Sequence, residues 1–390
     1  MLKHLAEEER QDGCKRTYIN LDDSALCVLA RQDPALFMQR YHTPLFIDEI
    51  QRAPELLPYI KMAADASESP GVFWLTGSQP LHLMNEVSES LAGRAGIIEL
   101  LGLSQSEITG TPSETFAPSA EYFTRRIETA RPRDVTEVFE DIAAGSLPGI
   151  RTLPADMRPA AFESYIDTYI MRDIRDLAHV GDELKFRRFI TACAALTARP
   201  VVYAELARAA DIDEKTAKTW LSLLASTHLV KIVEPYSANI IKRLSKRPVM
   251  HFTDTGLAAH LAGWSDAKTL ERGAYAGHIF ESYAFGEIYR SYTNAGKRAQ
   301  LRFFRTNDKH EIDLLLERDG VLYPIEVKKT ALPSRKDARE FSALRPLECD
   351  ESTAEATAQP CRPGVGTVIC MSSDTYPLHE NAWAFPVWAL

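Results

Sequence analysis

Apolar runs in the first quarter of the chain alternate with stretches of helical periodicity. Residues 17–19 form a short run typical of strands, and residues 44–49 and 72–79 begin as unbroken apolar runs and end in polar residues. Unbroken apolar runs are typical of strands that are buried on both faces of a parallel sheet. Apolar positions three or four residues apart predict helices over 24–40 and 55–66. This alternation predicts βαβ units and an α/β fold at the start of the chain.

The next part of the chain is predicted to be mainly helical. Prolines and polar residues over 109–120 indicate a loop. Helical spacing then follows over 134–143, 158–178 and 185–197. We therefore expect a small helical segment at 109–180.

Two short amphipathic helices come next, joined by a turn at 211–213, which is the spacing of a helix-turn-helix. Asp213 suits the N-cap of the second helix, and runs at 229–233 and 249–253 predict the strands of a wing. The basic residues expected to meet DNA phosphates or the major groove are Lys215, Lys218, Lys242, Arg243, Lys246 and Arg247. Winged helices also mediate protein contacts, and a basic wing is often only solvated, so both alternatives to DNA contact stay open.

The last third of the chain predicts one long helix over 271–292, followed by a sheet. The predicted strands are 301–305, 311–316, 321–328 and 366–370. Asp319-Gly320 has the composition of a two-residue hairpin turn. Pro324 lacks a backbone N–H group, which predicts an edge position for that part of its strand.

Charge is unevenly distributed over the 390 residues, although 45% hydrophobic and 25% charged residues are ordinary for a globular protein. Residues 1–180 carry 17 basic and 28 acidic residues, whereas residues 181–330 carry 23 and 18, within a net charge of −9. The chain has no apolar stretch of spanning length, no signal peptide and six scattered cysteines without a CxxC pair. These features predict a reduced, cytoplasmic protein that does not bind membranes.

Two carboxylates follow the apolar run at 44–49, and ligands of parallel sheets bind at such strand ends. Leu45-Phe46-Ile47-Asp48-Glu49 resembles a Walker B strand, and Leu75-Thr76-Gly77-Ser78-Gln79 resembles the following sensor strand. The segments at 88–94 and 100–108 are similar to those of bacterial AAA-like ATPases of the AAA_14 type, which carry a C-terminal DUF4143 domain. The resemblance predicts an N-terminal domain of the P-loop NTPase type, built on a parallel sheet.

This resemblance implies a role for each matching residue. Asp48 would help to hold Mg²⁺ on ATP, and Glu49 would orient the attacking water. Ser78 or Gln79 would sense the γ-phosphate. Arg94 would stabilise transition-state charge, either in its own subunit or in a neighbouring subunit of a homo-oligomer.

The phosphate-binding motif GxxxxGK[ST] does not occur in the 390 residues. Leu2-Lys3-His4-Leu5-Ala6 matches the helix that follows this motif in the family, so the chain is expected to start just after it. A misassigned start codon or a truncated gene is the favoured explanation, and a natural degenerate form is the alternative. We expect weak or no ATP hydrolysis by this chain.

The C-terminal strands bring a second set of chemical groups together. Period-two geometry places Glu326 and Lys328 on one strand face, with Asp313 beside them across the hairpin. An acid, then Glu-x-Lys, preceded by Glu281 in a helix, resembles the core of PD-(D/E)XK nucleases. This resemblance implies that Asp313 and Glu326 hold Mg²⁺, that Lys328 orients water or steadies phosphate, and that Glu281 completes the metal shell.

The sequence therefore predicts an ATPase core without its P-loop at 1–108, the helical segment, a winged helix at 181–262 and a nuclease-like DUF4143 domain at 263–390. Three functions stay open. The chain is an ATP-binding AAA-type protein impaired in hydrolysis, a Mg²⁺-dependent nuclease, or a non-enzymatic regulator that binds DNA or protein.

Overall fold

The computed structural model describes most of the chain and divides it into two compact units, Met1–Ile97 and Ile98–Leu390. The residues outside the description are 1, 12, 14, 68, 78–90, 92, 171–181, 237–246, 265, 307–309 and 349–361. The finer division of the second unit into three domains stays a prediction.

The first unit is built on a parallel sheet, as the apolar runs predict. Its strands are β1 (Thr17–Asn20), β2 (Leu45–Asp48) and β3 (Phe73–Leu75), paired in that order within the described residues. Its helices are α1 (Leu2–Gln11), α2 (Ser24–Gln32), α3 (Pro34–Arg40) and α4 (Leu57–Asp65). The middle strand β2 is buried along Leu45, Phe46 and Ile47, because helices and neighbouring strands cover it.

The prediction of a single helix over 24–40 is wrong, because the structure has two helices there. Asp33 is the N-cap of α3, and its carboxylate accepts a hydrogen bond from Leu36 N at 2.9 Å. Pro34 follows at the first helical position, where its missing N–H group is harmless, whereas within a continuous helix it would remove a hydrogen bond.

The second unit mixes helices with two sheets. Its helices are α5 (Gln105–Thr109), α6 (Ala120–Thr129), α7 (Val135–Ala144), α8 (Pro148–Arg151), α9 (Arg158–Tyr165), α10 (Glu183–Ala195), α11 (Tyr203–Ala210), α12 (Glu214–Ser226), α13 (Thr255–Leu261), α14 (Ala267–Arg272) and α15 (Ala276–Thr293). A π-helix (Ile166–Ile170) continues α9, and 3₁₀ segments occupy Arg335–Glu348 and Val387–Ala389. Its strands are β4 (Arg199–Pro200), β5 (Val230–Val233), β6 (Val249–Phe252), β7 (Leu301–Arg305), β8 (Glu311–Arg318), β9 (Val321–Val327), β10 (Arg362–Pro363), β11 (Gly366–Cys370), β12 (Tyr376–His379) and β13 (Ala382–Pro386).

The larger sheet of the second unit follows the order β12-β13-β11-β9-β8-β7, and β10 also pairs with β9, within the part of the chain that the structure describes. Strands β7, β8 and β9 form an antiparallel meander, whereas β11 runs parallel to both β9 and β13. The smaller sheet is antiparallel in the order β4-β6-β5. The observed β5 and β6 lie where the sequence predicts the wing strands.

Two sequence predictions need correction in this unit, and two features were missed. The helix predicted over 271–292 is instead α14 and α15, because Gly273 is extended and a Cβ there would lie 2.5 Å from the Trp264 ring. Helix α6 and the hairpin β12–β13 were not predicted. Pro324 is not at an edge, since β9 has strands on both sides. On its parallel side, β9 pairs with β10 at residues 321–322 and with β11 from Ile325 onward, so Pro324 lies beside the gap between these two partner strands.

Residues 145–147 and 254–256 pack tightly against each other in the second unit. Asp254 caps α13 through Leu257 N at 2.6 Å and accepts hydrogen bonds from the backbone N and hydroxyl of Ser146 at 2.6 and 2.8 Å. A Cβ on Gly256 would lie 2.7 Å from the backbone N of Gly145. A buried carboxylate therefore joins two segments more than 100 residues apart in sequence.

A search of the described residues found no helix whose length and apolar character would let it cross a bilayer.

Candidate functional site

Asp48 lies at the carboxyl end of β2, the middle strand of the first unit. The Tyr18 hydroxyl donates to Asp48 Oδ2 at 2.7 Å, and the Thr76 hydroxyl donates to Asp48 Oδ1. These donors come from strand β1 and from the residue after β3, because parallel strands end at the same edge of a sheet. The carboxylate is therefore held in one orientation and stays half-buried at the edge.

Glu49 follows with its backbone in the left-handed region, at φ 59° and ψ 43°. A non-glycine residue adopts this conformation only where its surroundings impose it, and such positions are frequent in functional sites. Gln51 donates a hydrogen bond from its side-chain amide to the Glu49 carboxylate. The chain therefore changes direction sharply at Glu49, directly after Asp48.

Of the remaining predicted residues of this site, only Arg94 is among the described residues. Ser78 and Gln79 lie outside the described residues. Arg94 is half-exposed and forms an ion pair with Asp65 at the end of α4. This hydrogen bond raises the pKa of Arg94 and lowers that of Asp65. The predicted role of Arg94 toward a neighbouring subunit stays a prediction.

Tyr18 and Thr76 are the residues near Asp48 that sequence reasoning missed. Both were already in predicted strands or their tips, and adjacent parallel strands bring their ends together. The alignment of the predicted strands therefore already placed Tyr18 and Thr76 near Asp48, although neither residue type indicates a functional role by itself.

A second cluster lies where β8 and β9 meet in the larger sheet. Lys328 Nζ is 2.5 Å from Glu326 Oε1 and 3.8 Å from Asp313 Oδ2, and the backbone N of Val327 donates to Asp313 Oδ2 at 2.8 Å. The predicted strand faces and the approach of Asp313 across the hairpin are confirmed. The Glu326 side chain is 7% exposed, that of Asp313 16% and that of Lys328 41%, so the lysine covers the two acids from the solvent side.

Burial dominates the acid–base properties of this cluster. Burial and the neighbouring Asp313 carboxylate raise the pKa of Glu326 to about 8, against the opposing effect of Lys328. Burial also raises the pKa of Asp313. Burial alone would lower the pKa of Lys328, but the two carboxylates outweigh it and raise that pKa. Glu326 Oε2 is buried and has no hydrogen-bond partner among the described residues, which is costly unless a ligand satisfies it.

Glu281, the third predicted acid of this site, is carried by helix α15. Burial and the charges of Asp313 and Glu326 raise its pKa well above the ordinary value, so it lies within electrostatic reach of the cluster. Among the described residues, however, no three His, Cys, Asp or Glu side chains converge as metal ligands. The cluster therefore offers two carboxylates and a lysine in contact, and the role of Glu281 in a metal shell stays a prediction.

The helix pair α11–α12 presents a polar face, as its spacing predicts. Asp213 caps α12 through Thr216 N at 2.9 Å, and Trp220 packs against Phe186 and Phe189 of α10 at ring distances of 5.1 and 5.5 Å. The opposite face, which includes Lys215 and Lys218, is exposed, and so is Arg247 just before β6. The other wing cations, Lys242, Arg243 and Lys246, lie outside the described residues.

Comparison with known families agrees with this organisation. An AAA domain, AAA_14, matches residues 1–109, and a domain of unknown function, DUF4143, matches residues 276–390. A further domain of unknown function, DUF8612, matches residues 135–268. The first unit thus carries an AAA-like ATPase domain, within a mixed α/β protein. The chain thus carries both domain matches, AAA_14 and DUF4143, which confirms the resemblance predicted from sequence.

Two curated relatives are similar to most of this chain. An uncharacterized protein of Mycobacterium tuberculosis and one of Mycobacterium bovis are each 30% identical over 305 residues, which is 77% of this chain. The match covers 62% of each relative, so the chain spans less than two thirds of their length.

Proposed function

We propose that this chain is an ATP-binding protein of the AAA type, in which Asp48 helps to hold Mg²⁺ on the nucleotide. The observation that carries this proposal is the Asp48-Glu49 pair at the end of the middle strand of an AAA domain. Each Asp48 oxygen accepts a hydrogen bond and retains a second lone pair, so the carboxylate is a suitable hard ligand for Mg²⁺. The bound ion would neutralise phosphate charge.

Glu49 orients the attacking water in this proposal, because its backbone turn directs the residue away from the strand. Ser78 or Gln79 senses the γ-phosphate, and Arg94 leaves Asp65 to reach the nucleotide of a neighbouring copy. Hydrolysis by the 390 residues is weak, because they contain no GxxxxGK[ST] segment to surround the phosphates. We also place the protein in the cytoplasm.

Nucleotide binding tests this proposal directly. A fluorescent ATP analogue should bind the full chain with Mg²⁺, and Asp48→Asn should weaken binding about tenfold or more, since it removes one charge from the metal site. Glu55→Gln is a matched control in the same unit, because Glu55 pairs with Arg31 at the surface. Equal binding by wild type and Asp48→Asn would contradict the Mg²⁺ role. Robust Mg²⁺-dependent turnover by this chain would overturn the expectation of weak hydrolysis.

The second unit supports a second candidate function, a Mg²⁺-dependent nuclease of the PD-(D/E)XK type. The order of elements supports it: helix α15, the meander β7–β8–β9, the 3₁₀ segment Arg335–Glu348 and then β11 parallel to β9. The unpartnered, buried Glu326 Oε2 favours it further, because a cation would satisfy that atom. Asp313 and Glu326 would hold the ion, Lys328 would orient water, and Glu281 would act through the wider shell.

DNA is the partner that we propose for this activity or for a purely regulatory role. Lys215, Lys218 and Arg247 are exposed near the helix pair and the wing, where the resemblance to a winged helix directs them to phosphates. Wild type and Glu326→Ala should be assayed with Mg²⁺ on single- and double-stranded DNA and RNA. Cleavage by wild type alone supports the nuclease, whereas two inert proteins would remove it and leave the ATP-binding or regulatory roles.

A further inference from the structure

Residues 99–107 run beside helix α15, and contacts at both ends of this segment bind it to the second unit. At one end, Glu99 Oε1 is 2.7 Å from His228 Nδ1, and the Tyr289 hydroxyl donates to Glu99 Oε2 at 3.2 Å. At the other end, the backbone N of Gln105 donates to Glu287 Oε2 at 3.0 Å. Tyr289 and Glu287 both belong to α15, so one helix receives both ends of the segment.

The two ends differ strongly in burial. The side chain of Glu287 is 3% exposed, and its ion pair with Arg290 lies inside the protein. The side chains of Glu99 and His228 are 26% and 37% exposed. Water therefore competes for the contacts of Glu99 and hardly at all for those of Glu287.

Apolar burial does not hold the Glu99 end. The neighbours Ile98 and Leu100 are 79% and 63% exposed, which leaves the Glu99 carboxylate as the attachment there in the described part of the chain. Lys231 strengthens that attachment, because its Nζ lies 2.6 Å from the Tyr289 hydroxyl. Burial acts to raise the pKa of Glu99, but the charges of His228 and Lys231 outweigh it and lower that pKa.

His228 is held ready for this contact by its backbone. Its φ of 58° is in the left-handed region, and the Thr253 hydroxyl fixes it by donating to the His228 carbonyl at 2.7 Å. Arg290 in turn donates to the Thr253 carbonyl at 3.1 Å. The partner of Glu99 is thus connected to the same buried Glu287–Arg290 pair that holds the other end.

We propose that residues 99–107 form a strap over α15 with one fixed end and one releasable end, and that Glu99 is the releasable end. Release frees residues 98–103, including the hydrogen bond that Leu103 N donates to the Ser146 carbonyl at 2.8 Å, while Gln105 stays bound to Glu287. Helix α15 also carries Glu281, two turns before Tyr289, so the strap is a conformational device next to the carboxylate cluster. The proposal does not depend on either proposed activity.

Hydrogen exchange followed by mass spectrometry on the full chain tests this strap. In Glu99→Ala the amide of Leu103, which is hydrogen-bonded to the Ser146 carbonyl, should exchange about tenfold faster than in wild type, as expected for the loss of a charge-assisted hydrogen bond next to it. The amides of residues 106–109 and of α15 should keep the wild-type rate. Glu99→Gln should lie between the two proteins, because the amide keeps a contact with Tyr289 but loses the charge.

Glu114→Ala is the matched control, since Glu114 forms an exposed ion pair with Arg125 in the same unit. This variant should leave exchange at Leu103 unchanged. Wild-type exchange at Leu103 in Glu99→Ala would overturn the proposal. Equal acceleration at Leu103, over 106–109 and in α15 would also overturn it, because the segment would then have no fixed end.

Discussion

Replacing Glu326 by glutamine is expected to stabilise the protein at neutral pH without a divalent cation. Glu326 is 6% exposed, and its pKa rises from the ordinary value of 4.5 to about 8. The folded chain therefore keeps a proton that the unfolded chain has lost, so stability falls as the pH rises from about 4.5 to about 8. Between pH 4.5 and pH 7 this difference amounts to about 3 kcal/mol at 1.36 kcal/mol per pH unit.

Urea unfolding of wild type and Glu326→Gln at several pH values measures this effect. The two proteins should be equally stable near pH 4, and the variant should gain up to about 3 kcal/mol at pH 7. Glutamine keeps an oxygen for Lys328, so the contact with that ammonium is retained. Mg²⁺ should stabilise wild type and leave the variant unchanged, because the amide is a poor replacement for a charged ligand.

Glu317→Gln is the matched control, because it makes the same change of residue and charge on the same hairpin. A Glu326→Gln protein that is less stable than wild type at pH 7 would refute the reasoning. That result would mean that the carboxylate is ionised and stabilises the fold through its ion pair. A stabilised variant, in contrast, is typical of residues that a protein retains for function at the expense of stability.

Three further variants test other parts of the second unit. Burial lowers the pKa of His251 from 6.5 to about 3, so the free energy of unfolding should fall below pH 6.5, by about 2 kcal/mol at pH 5. His251→Phe should remove this pH dependence in urea unfolding. An unchanged pH dependence would assign it to other groups. Glu287→Gln leaves Arg290 buried without its counter-ion and should cost about 3–5 kcal/mol in the same assay, whereas a loss below about 1 kcal/mol would contradict that pairing. Exchanging Lys215 and Lys218 for glutamate should weaken duplex DNA binding and reduce the salt slope by about 2 in fluorescence anisotropy; an unaltered slope would exclude this helix face.

The sequence predicted the parallel strands and the carboxylate cluster because short-range patterns determine both. An unbroken apolar run such as 45–47 fits a strand covered on both faces. The two-residue period of β9 fixes the side on which Glu326 and Lys328 lie, and the two-residue turn sets the register with β8. Those rules require no knowledge of distant parts of the chain.

The features that escaped prediction depend on packing that residue periodicity does not encode. The Trp264 ring occupies the space that a side chain at Gly273 would need, at the point where α14 ends. Pro324 is tolerated inside the sheet because the parallel ladder beside it changes strands.

The carboxylate of Asp254 also decides where this protein can be divided for study. Cutting the chain at residue 180 would separate Asp254 from Ser146 and open the tight contact between Gly145 and Gly256. A fragment that starts at 181 would then expose a buried acid that has lost its donors in Ser146 and Leu147 and keeps the one from Leu257 N. A fragment that contains both segments keeps this contact intact, and the DUF8612 match over 135–268 has that extent. A fragment that preserves this contact therefore includes residues 145–147 as well as residues 254–256.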